Sequence, residues 1–364
     1  MRGVRGRVVI RAAAQEAGQV TERREDEVSW RSFTPPLFPV LLAAALVLAS
    51  APASGQGPST ATNPTATKPA AAPMSGAPPR TPDGHPDLQG IWTSATVAPL
   101  ERPASVKGKE FYTEEEAAEN ARRVLGISSW ERLGSQSAVH YNMSQYGLDL
   151  SQVKVALTRR TSLIVGPDGR VPPFTPEAQK RLADRAASNR GHQFDGPENR
   201  PLQERCIVFA SEGPPMLPSA YNSNLQIVQS RGYVAIVQEM IHSTRLIPTD
   251  GRPHLPQGIR QWLGDSRGHW AGDTLVVDTT NFTGETAFRG STAGLHLVER
   301  FTRVDNDTIL YEFTADDPAT WTRPWTAQLA LAKIEGPLFE FACHEGNLGL
   351  ADTLRVCNEI TVAL

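Results

Sequence analysis

Beyond Leu225, the chain is a series of short runs in which apolar residues alternate with polar ones. This period of two places the apolar side chains on one face of a β-strand. Brief turns containing Gly, Pro, Asn or Asp separate the runs, as at Ser230-Arg-Gly232, Asp305-Asn-Asp307 and Glu335-Gly-Pro337. Such turns are typical of β-hairpins. Because no helical period interrupts the series, the sequence predicts a mainly β fold built on an antiparallel meander.

The predicted strands of this meander are residues 225–229, 233–242, 259–263, 274–279, 295–304, 308–314, 325–333 and 338–344. A Gly-Asp turn is expected at Gly264-Asp265. We expect the sheet to be a closed or nearly closed barrel, because closure removes the unpaired edges at which sheets aggregate. Gly90-Ile-Trp92 resembles the Gly-x-Trp motif that opens many calycin barrels. The predicted architecture is a calycin-like barrel with two or three peripheral helices.

Two helices are expected as insertions in a single β-rich domain, which we assign to residues 81–364. A capping box that begins with Thr113 predicts the first helix, over about 113–126. Thr175, followed by a proline in the first turn, predicts the second, over about 175–188.

The N-terminal region has a different composition. Its apolar run from Pro39 to Ala49 follows basic residues, is short for a bilayer span and is typical of a signal peptide. We assign residues 1–56 to a signal peptide with an extended n-region. Residues 57–80, rich in Pro, Ala, Ser and Thr, hold too little apolar surface to fold and are expected to be a disordered linker. The mature protein is then periplasmic or extracellular, without stable membrane insertion; an uncleaved membrane anchor is the alternative.

Charge and motifs narrow the function classes. A formal net charge of −3 over 364 residues gives no basis for a nucleic-acid partner. The sequence contains no P-loop, no Rossmann glycine fingerprint and no Gly-x-Ser-x-Gly elbow. We therefore predict no cofactor, and we favour a hydrolase, lyase or isomerase over an oxidoreductase. No metal site is predicted, because there is no Cys-x-x-Cys pair and the histidines are not spaced as ligands. The oligomeric state is left open.

The chain has three cysteines, Cys206, Cys343 and Cys357. In an oxidising compartment, one pair is expected to form a disulfide and one thiol to be left over. Both Cys206–Cys343 and Cys343–Cys357 are compatible with the sequence, and buried free thiols are the alternative.

The strand alternation also predicts a shared polar face. If residues 305–307 form the turn, Arg300 lies opposite Glu312 on neighbouring strands. His344 falls on the matching face of the last predicted strand. We expect Arg300 and Glu312 to be paired and substantially buried, with His344 nearby, so that this face lines a site inside the barrel. A solvated face with cross-strand salt bridges is the alternative.

Further candidates cluster around the end of a predicted strand. His242 is suited to acid–base chemistry near neutral pH, and Glu239 precedes it in the same strand. Arg245 would bind an oxygen-rich group of a substrate. A third group is expected to act as orienting carboxylate, anion clamp and proton carrier, or else to form a salt-bridged turn: Asp265, Arg267 and His269.

The chain contains five long motifs: Glu239-Met-Ile-His242, Pro248-Thr-Asp-Gly-Arg-Pro253, Gly264-Asp-Ser-Arg-Gly-His-Trp-Ala-Gly-Asp-Thr-Leu-Val-Val277, Thr322-Arg-Pro-Trp325 and Ala342-Cys-His-Glu-Gly-Asn347. They resemble the motifs of a broad family of exported bacterial proteins, over about Asp83 to Asn347. The resemblance brings no activity with it. It directs attention to the polar positions within or beside the motifs: Glu239, His242, Arg245, Asp265, Arg267, Glu299, Arg300, His344 and Glu345.

These residues predict a protein that binds a small organic or sugar-like ligand in the barrel lumen. As an enzyme it would use His242 and His344 as acid and base, assisted by Glu345 or Glu239. The ligand would be bound by Arg245, Asp265, Arg267, His269, Arg300 and Glu312. Whether the protein is catalytic is left open. The alternatives are a periplasmic carrier of an apolar or aromatic ligand, with a wall that includes Tyr311, Trp321 and Trp325, and an envelope structural protein.

Export gives the first prediction. The full chain should be processed to a shorter form, and a fusion that lacks the residues up to Gln56 should stay in the cytoplasm. Cell fractionation with mass measurement of the N-terminus checks this. An unprocessed chain in the inner membrane would instead indicate a membrane anchor.

Overall fold

The computed structural model describes residues 79–126, 155–209, 212–219, 222–286 and 288–363. Within these ranges the chain forms a nine-stranded antiparallel sheet, which confirms the predicted mainly β meander. Its strands are β1 Gly90–Thr93, β2 Asn224–Ser230, β3 Tyr233–Gln238, β4 Thr244–Pro248, β5 Asp265–Ala271, β6 Thr274–Thr280, β7 His296–Arg303, β8 Thr308–Asp316 and β9 Trp325–Ile334. The order across the sheet is β4-β3-β2-β1-β9-β8-β7-β6-β5, so two meanders meet where β1 pairs with β9.

Two of the predicted strands do not form. Residues 259–263 are not a strand, and β5 begins at Asp265, where a turn was expected. The turn lies one residue earlier: Gly264 has φ 69°, and a Cβ there would lie 2.7 Å from the carbonyl oxygen of Thr280. Residues 338–344 form no strand either. The edge of β9 that they would need is already taken by β1, whose Ile91 lies opposite Ile334.

The predicted closure of the barrel is not made by hydrogen bonds. β4 and β5, the two edge strands, lie side by side, but no ladder joins them. They come close at Gly268 of β5, where an added Cβ would lie 2.9 Å from the Cγ2 atoms of Ile247 and Thr249. The absence of a side chain at Gly268 therefore lets the two edges of the curled sheet meet.

Aromatic side chains fill the inner face of the sheet. Phe313 of β8 and Trp321 each make an edge-to-face contact with Trp325 of β9, with ring centroids 5.5 and 5.6 Å apart. Phe301 and Tyr311, opposite each other on β7 and β8, are also fully buried. Such contacts contribute beyond the area they bury. The rings that would form the wall of a carrier pocket therefore pack against one another as core.

An ion pair crosses this interior. Arg245 of β4 donates from Nη1 and Nη2 to the two carboxylate oxygens of Glu299 on β7, at 3.2 and 2.5 Å. Glu299 is 0% exposed and also accepts from the hydroxyl of Tyr311 at 2.8 Å. That hydroxyl in turn accepts from the backbone amide of Met216 at 3.0 Å. Burial, and then the charge of Glu299, raise the pKa of Tyr311 well above its ordinary value, so it remains a donor.

The Arg300–Glu312 pair lies on the opposite, outer face. The predicted register is confirmed, because the two residues are direct partners in the β7–β8 ladder. The predicted burial is wrong: Nε and Oε1 are 4.0 Å apart, and the side chains are 50% and 32% exposed. His344 is exposed and belongs to no strand, so it does not share this face. Alternation separates the two faces of β7 but does not say which is inside, and the inner face is the one that carries Glu299.

Three α-helices lie outside the sheet in the described ranges: α1 Glu114–Gly126, α2 Pro176–Ser188 and α3 Leu348–Ala363. At the start of α1, Thr113 Oγ1 accepts from the amide of Glu116 at 3.2 Å and the Glu116 carboxylate accepts from the amide of Thr113 at 2.8 Å. Thr175 caps α2 by accepting from the amide of Ala178 at 3.1 Å. None of these helices is both long and apolar enough to cross a membrane.

A disulfide joins Cys206, in the loop before β2, to Cys343, in the segment after β9. This is one of the two pairings that the sequence left open. It fixes residues 338–347 against the loop that leads into β2. Cys357 lies in α3, and its side chain is outside the described residues.

The two ion pairs make opposite predictions for stability. Arg245→Ala should lower the free energy of unfolding by about 3–5 kcal/mol, because Glu299 is left as a buried, unpaired charge. The double variant Arg245→Met/Glu299→Leu should recover much of that loss. Arg300→Ala, the matched control on the outer face, should cost only about 0–1 kcal/mol. Urea unfolding at pH 7 measures all three variants, and equal losses for the two alanine variants would contradict the assignment of inner and outer faces.

Candidate functional site

The strongest candidate site lies where β3 ends and β4 begins, and we call it the β3–β4 site. It consists of the turn at residues 238–243 together with Glu212. The turn is closed by a hydrogen bond from the amide of Gln238 to the carbonyl of Ser243 at 2.9 Å. Within it, Ile241 and His242 have φ values of 57° and 43°. Left-handed backbone is unfavourable for a β-branched residue, and strain of this kind is concentrated at functional sites.

Glu239 is a buried carboxyl at the start of this turn. It is 4% exposed, and its Oε2 has no hydrogen-bond partner among the described residues. Burial raises the pKa of Glu239, and interactions with Asn224 and with the backbone of Phe339 offset only part of that effect. No cation is paired with it in the described structure. The side chain is therefore biased towards its neutral, proton-donating form.

Glu212 is the second buried carboxyl, and the sequence analysis missed it. It is 2% exposed, and burial raises its pKa to about 8. The backbone of Phe209 and the hydroxyl of Ser243 lower that pKa in part, but neither oxygen of Glu212 has a partner at hydrogen-bonding geometry within the described part of the chain. At neutral pH this carboxyl is mostly protonated. Ser243 thus links Glu212 to the same turn that begins with Glu239.

The loop around Glu212 is held rigidly. Gly213 has φ 87°, and a Cβ there would lie 2.7 Å from the backbone nitrogen of Met216. That nitrogen donates to Tyr311 in the core. The sequence signal that could have identified Glu212 is an acidic residue directly before Gly213-Pro-Pro215 in an apolar stretch. A charged residue placed there must be either paired or neutralised.

His242 is the exposed member of the site. Its Nδ1 lies 3.1 Å from the carbonyl oxygen of Phe341. A carbonyl can only accept, so Nδ1 carries the proton and Nε2 of the neutral ring is left as an acceptor. His344 and Glu345 follow Phe341 in the segment at residues 338–347, which contacts the turn through Phe341, but both side chains are exposed. The structure therefore places Glu239 and His242 in the same turn and leaves the side chains of His344 and Glu345 exposed to solvent.

Asp265 and Arg267 belong to a separate cluster on the outer face. Asp265 accepts from Nδ1 of His254 at 2.9 Å, from the amide of Leu255 at 2.8 Å and from Nη1 of Arg267 at 2.6 Å. Nε of Arg267 donates to the carbonyl of Pro253 at 2.9 Å. These bonds fasten residues 253–255 onto β5, which is the salt-bridged structural role that was the alternative.

The remaining candidates are likewise outside the β3–β4 site. His269 is exposed on β5. Arg245 is 8% exposed, and its guanidinium is engaged by Glu299 rather than open to a ligand. Arg300 and Glu312 lie on the outer face, as described above. Among the described residues, no three His, Cys, Asp or Glu side chains are grouped as metal ligands.

Comparison with known proteins identifies no relative of this chain. No protein-family model matches the chain. No curated protein and no solved structure matches it either.

The two raised carboxyl pKa values predict how stability depends on pH. Native Glu212 keeps a proton that the unfolded chain releases above its ordinary pKa of 4.5. The native state then binds more protons than the unfolded state, so stability falls as the pH rises from 4.5 to about 8. Glu212 alone contributes a slope of up to about 1.4 kcal/mol per pH unit, and Glu239 acts in the same direction.

Glu212→Gln should therefore reduce the fall in the free energy of unfolding as the pH rises, and the variant should be more stable than wild type at pH 8. Urea unfolding from pH 5 to pH 9 measures this. Glu335→Gln, at an exposed carboxyl, is the matched control and should leave the profile unchanged. A wild-type and a Glu212→Gln profile with the same slope would show that Glu212 is ionised in the native state.

Proposed function

We propose that this protein is an exported enzyme that acts on a small organic or sugar-like substrate by proton transfer at the β3–β4 site. The observation that carries the proposal is the environment of Glu212: a buried carboxyl that has no cation and no hydrogen-bond partner among the residues the structure describes, beside a strained turn that presents a histidine. Strongly perturbed carboxyls and backbone strain are both concentrated at active sites.

The two side chains have complementary roles in this proposal. Glu212, with a pKa of about 8, is the general acid, because an acid is most effective when its pKa lies near the working pH. His242, with its proton on Nδ1, presents Nε2 as the general base. Glu239 is a second carboxyl whose pKa is raised by burial, and in its protonated form it would donate a hydrogen bond to the substrate. Proton transfer without a cofactor is the chemistry of hydrolases, lyases and isomerases.

In this proposal, substrate reaches Glu212 when residues 338–347, which we call the cover, move away from the turn. Residues 338–347 lie over the turn, belong to no strand, and contact it through the backbone of Phe339 and the carbonyl of Phe341. The Cys206–Cys343 disulfide keeps this segment attached while it opens. Covers of this kind exclude water from the reaction.

The scaffold in this proposal is a nearly closed, calycin-like barrel. The ion pair from β4 to β7 and the contact of Gly268 with β4 support it, since both require the sheet to curl until its edges meet. The disulfide supports an oxidising compartment, in agreement with the predicted signal peptide. The signal peptide and linker lie outside the described residues. Membership of the exported bacterial family is part of the proposal and depends on the five motifs.

The carrier alternative has weaker support. Three rings of its aromatic wall, Tyr311, Trp321 and Trp325, are buried in the core, and Tyr311 is bound to Glu299. An apolar ligand in the lumen would have to displace those contacts. A purely structural role gives no reason for Glu212, whose two buried oxygens have no hydrogen-bond partner among the described residues, since such a carboxyl lowers stability at neutral pH.

Activity tests the proposal with chromogenic p-nitrophenyl esters and glycosides of small sugars, assayed from pH 5 to pH 9. Wild type should turn over at least one class, with kcat falling as Glu212 ionises above about pH 8. Glu212→Gln and His242→Gln should each lower kcat by about 100-fold or more. Glu335→Gln and His269→Gln are the matched controls at exposed positions and should retain activity. Turnover that survives in both site variants would contradict the proposal.

A further inference from the structure

A second concave surface, which we call the basic groove, shares no residue with the β3–β4 site. One wall is the loop at residues 165–170 and the other is residues 323–326, where β9 begins. The amide of Val165 donates to the carbonyl of Thr326 at 2.9 Å and so joins the two walls. The groove encloses about 220 Å³, which is below the range of about 300–1,000 Å³ that is usual for drug-sized ligands.

A buried cation holds the loop wall in place. Arg102 is 2% exposed, and its guanidinium donates to the hydroxyl of Thr161 at 2.8 Å and to the carbonyls of Gly166, at 3.2 Å, and Pro167. Gly169 lies directly on it, since a Cβ there would be 2.8 Å from Cζ of Arg102. Among the described residues, Arg102 forms no ion pair with a carboxylate. The loop is thus rigid, and the positive charge beneath it is not neutralised.

Two more arginines line the groove, Arg170 on the loop wall and Arg323 on the other wall. Arg170 lies 3.5 Å from Glu101, and Arg323 lies 3.6 Å from Asp168. Neither contact has hydrogen-bonding geometry, and the arginine side chains are 55% and 60% exposed. Glu101 is shared with a further cation, Arg289, at 3.1 Å. Around the groove four arginines therefore meet two carboxylates, and the local field favours an anion.

The rest of the lining is apolar. Val165, Pro167 and Pro324, whose side chains are exposed, line the groove together with the two arginines. Guanidinium forks match the geometry of a carboxylate, and the exposed valine and proline side chains offer an apolar surface to a ring. We propose that the basic groove is a binding site for a small organic monocarboxylate that carries a single apolar or aromatic ring.

Calorimetric titration of the full mature chain with benzoate tests the proposal, with benzamide as the neutral isostere and inorganic phosphate as a simple anion. Benzoate should bind with a Kd of about 1 mM or lower, and benzamide and phosphate at least about tenfold more weakly. Arg170→Gln and Arg323→Gln should each weaken benzoate binding about tenfold. Asp168→Asn, which removes a competing anion, should strengthen it.

Two controls separate this site from the rest of the molecule. Arg300→Gln removes an exposed arginine of the outer face and should leave benzoate binding unchanged. Glu212→Gln should also leave it unchanged, because the basic groove does not depend on the proposed enzyme activity. Absence of benzoate binding, or binding that is equal in wild type and in Arg170→Gln/Arg323→Gln, would overturn the proposal. Phosphate binding as tightly as benzoate would overturn the choice of a carboxylate.

Discussion

The ion pair between Arg245 and Glu299 links the curl of the sheet to the position of the loop that carries Glu212. It joins the edge strand β4 to β7 across the interior, so it requires the nine-stranded sheet to curl. Glu299 also binds the hydroxyl of Tyr311, which accepts from the amide of Met216. Through that bond the core holds the loop that carries Glu212. The β3–β4 site is thus positioned by the same network that shapes the sheet.

Three buried glutamates show how environment decides the state of a carboxyl. Glu299 is fully buried, and both of its carboxylate oxygens accept hydrogen bonds from the guanidinium of Arg245. Glu212 and Glu239 are almost as buried but have no cation, and burial raises the pKa of both. The interior therefore contains one carboxyl that is paired and maintains the fold, and two carboxyls whose pKa values are raised by burial. The two carboxyls with raised pKa values lie at the β3–β4 site, and for that reason this site, rather than the lumen, is the candidate active site.

Local patterns in the sequence predicted the β2–β3 and β7–β8 hairpins and the starts of α1 and α2, because these depend on neighbouring residues. The register of Arg300 opposite Glu312 and the capping box at Thr113 were both predictable on this basis. The inner face of β7 was not, since Glu299 is satisfied by Arg245 from a strand far away in the chain. The absence of a strand at residues 338–344 likewise depends on β1, which pairs with the edge of β9 that this strand would need. Glu239 and His242 were predicted as site residues, whereas Glu212 was missed because its burial comes entirely from tertiary packing.

The central claim is that Glu212 is protonated at neutral pH, and carbon-13 NMR of the glutamate side-chain carboxyl carbons tests it most directly. Spectra of wild type and Glu212→Gln, recorded from pH 4 to pH 10, assign the resonance of Glu212 by its loss from the variant. The account predicts that this resonance titrates at about pH 8. Titration near the ordinary value of 4.5 would contradict it, because Glu212 would then be ionised at neutral pH and unable to act as an acid.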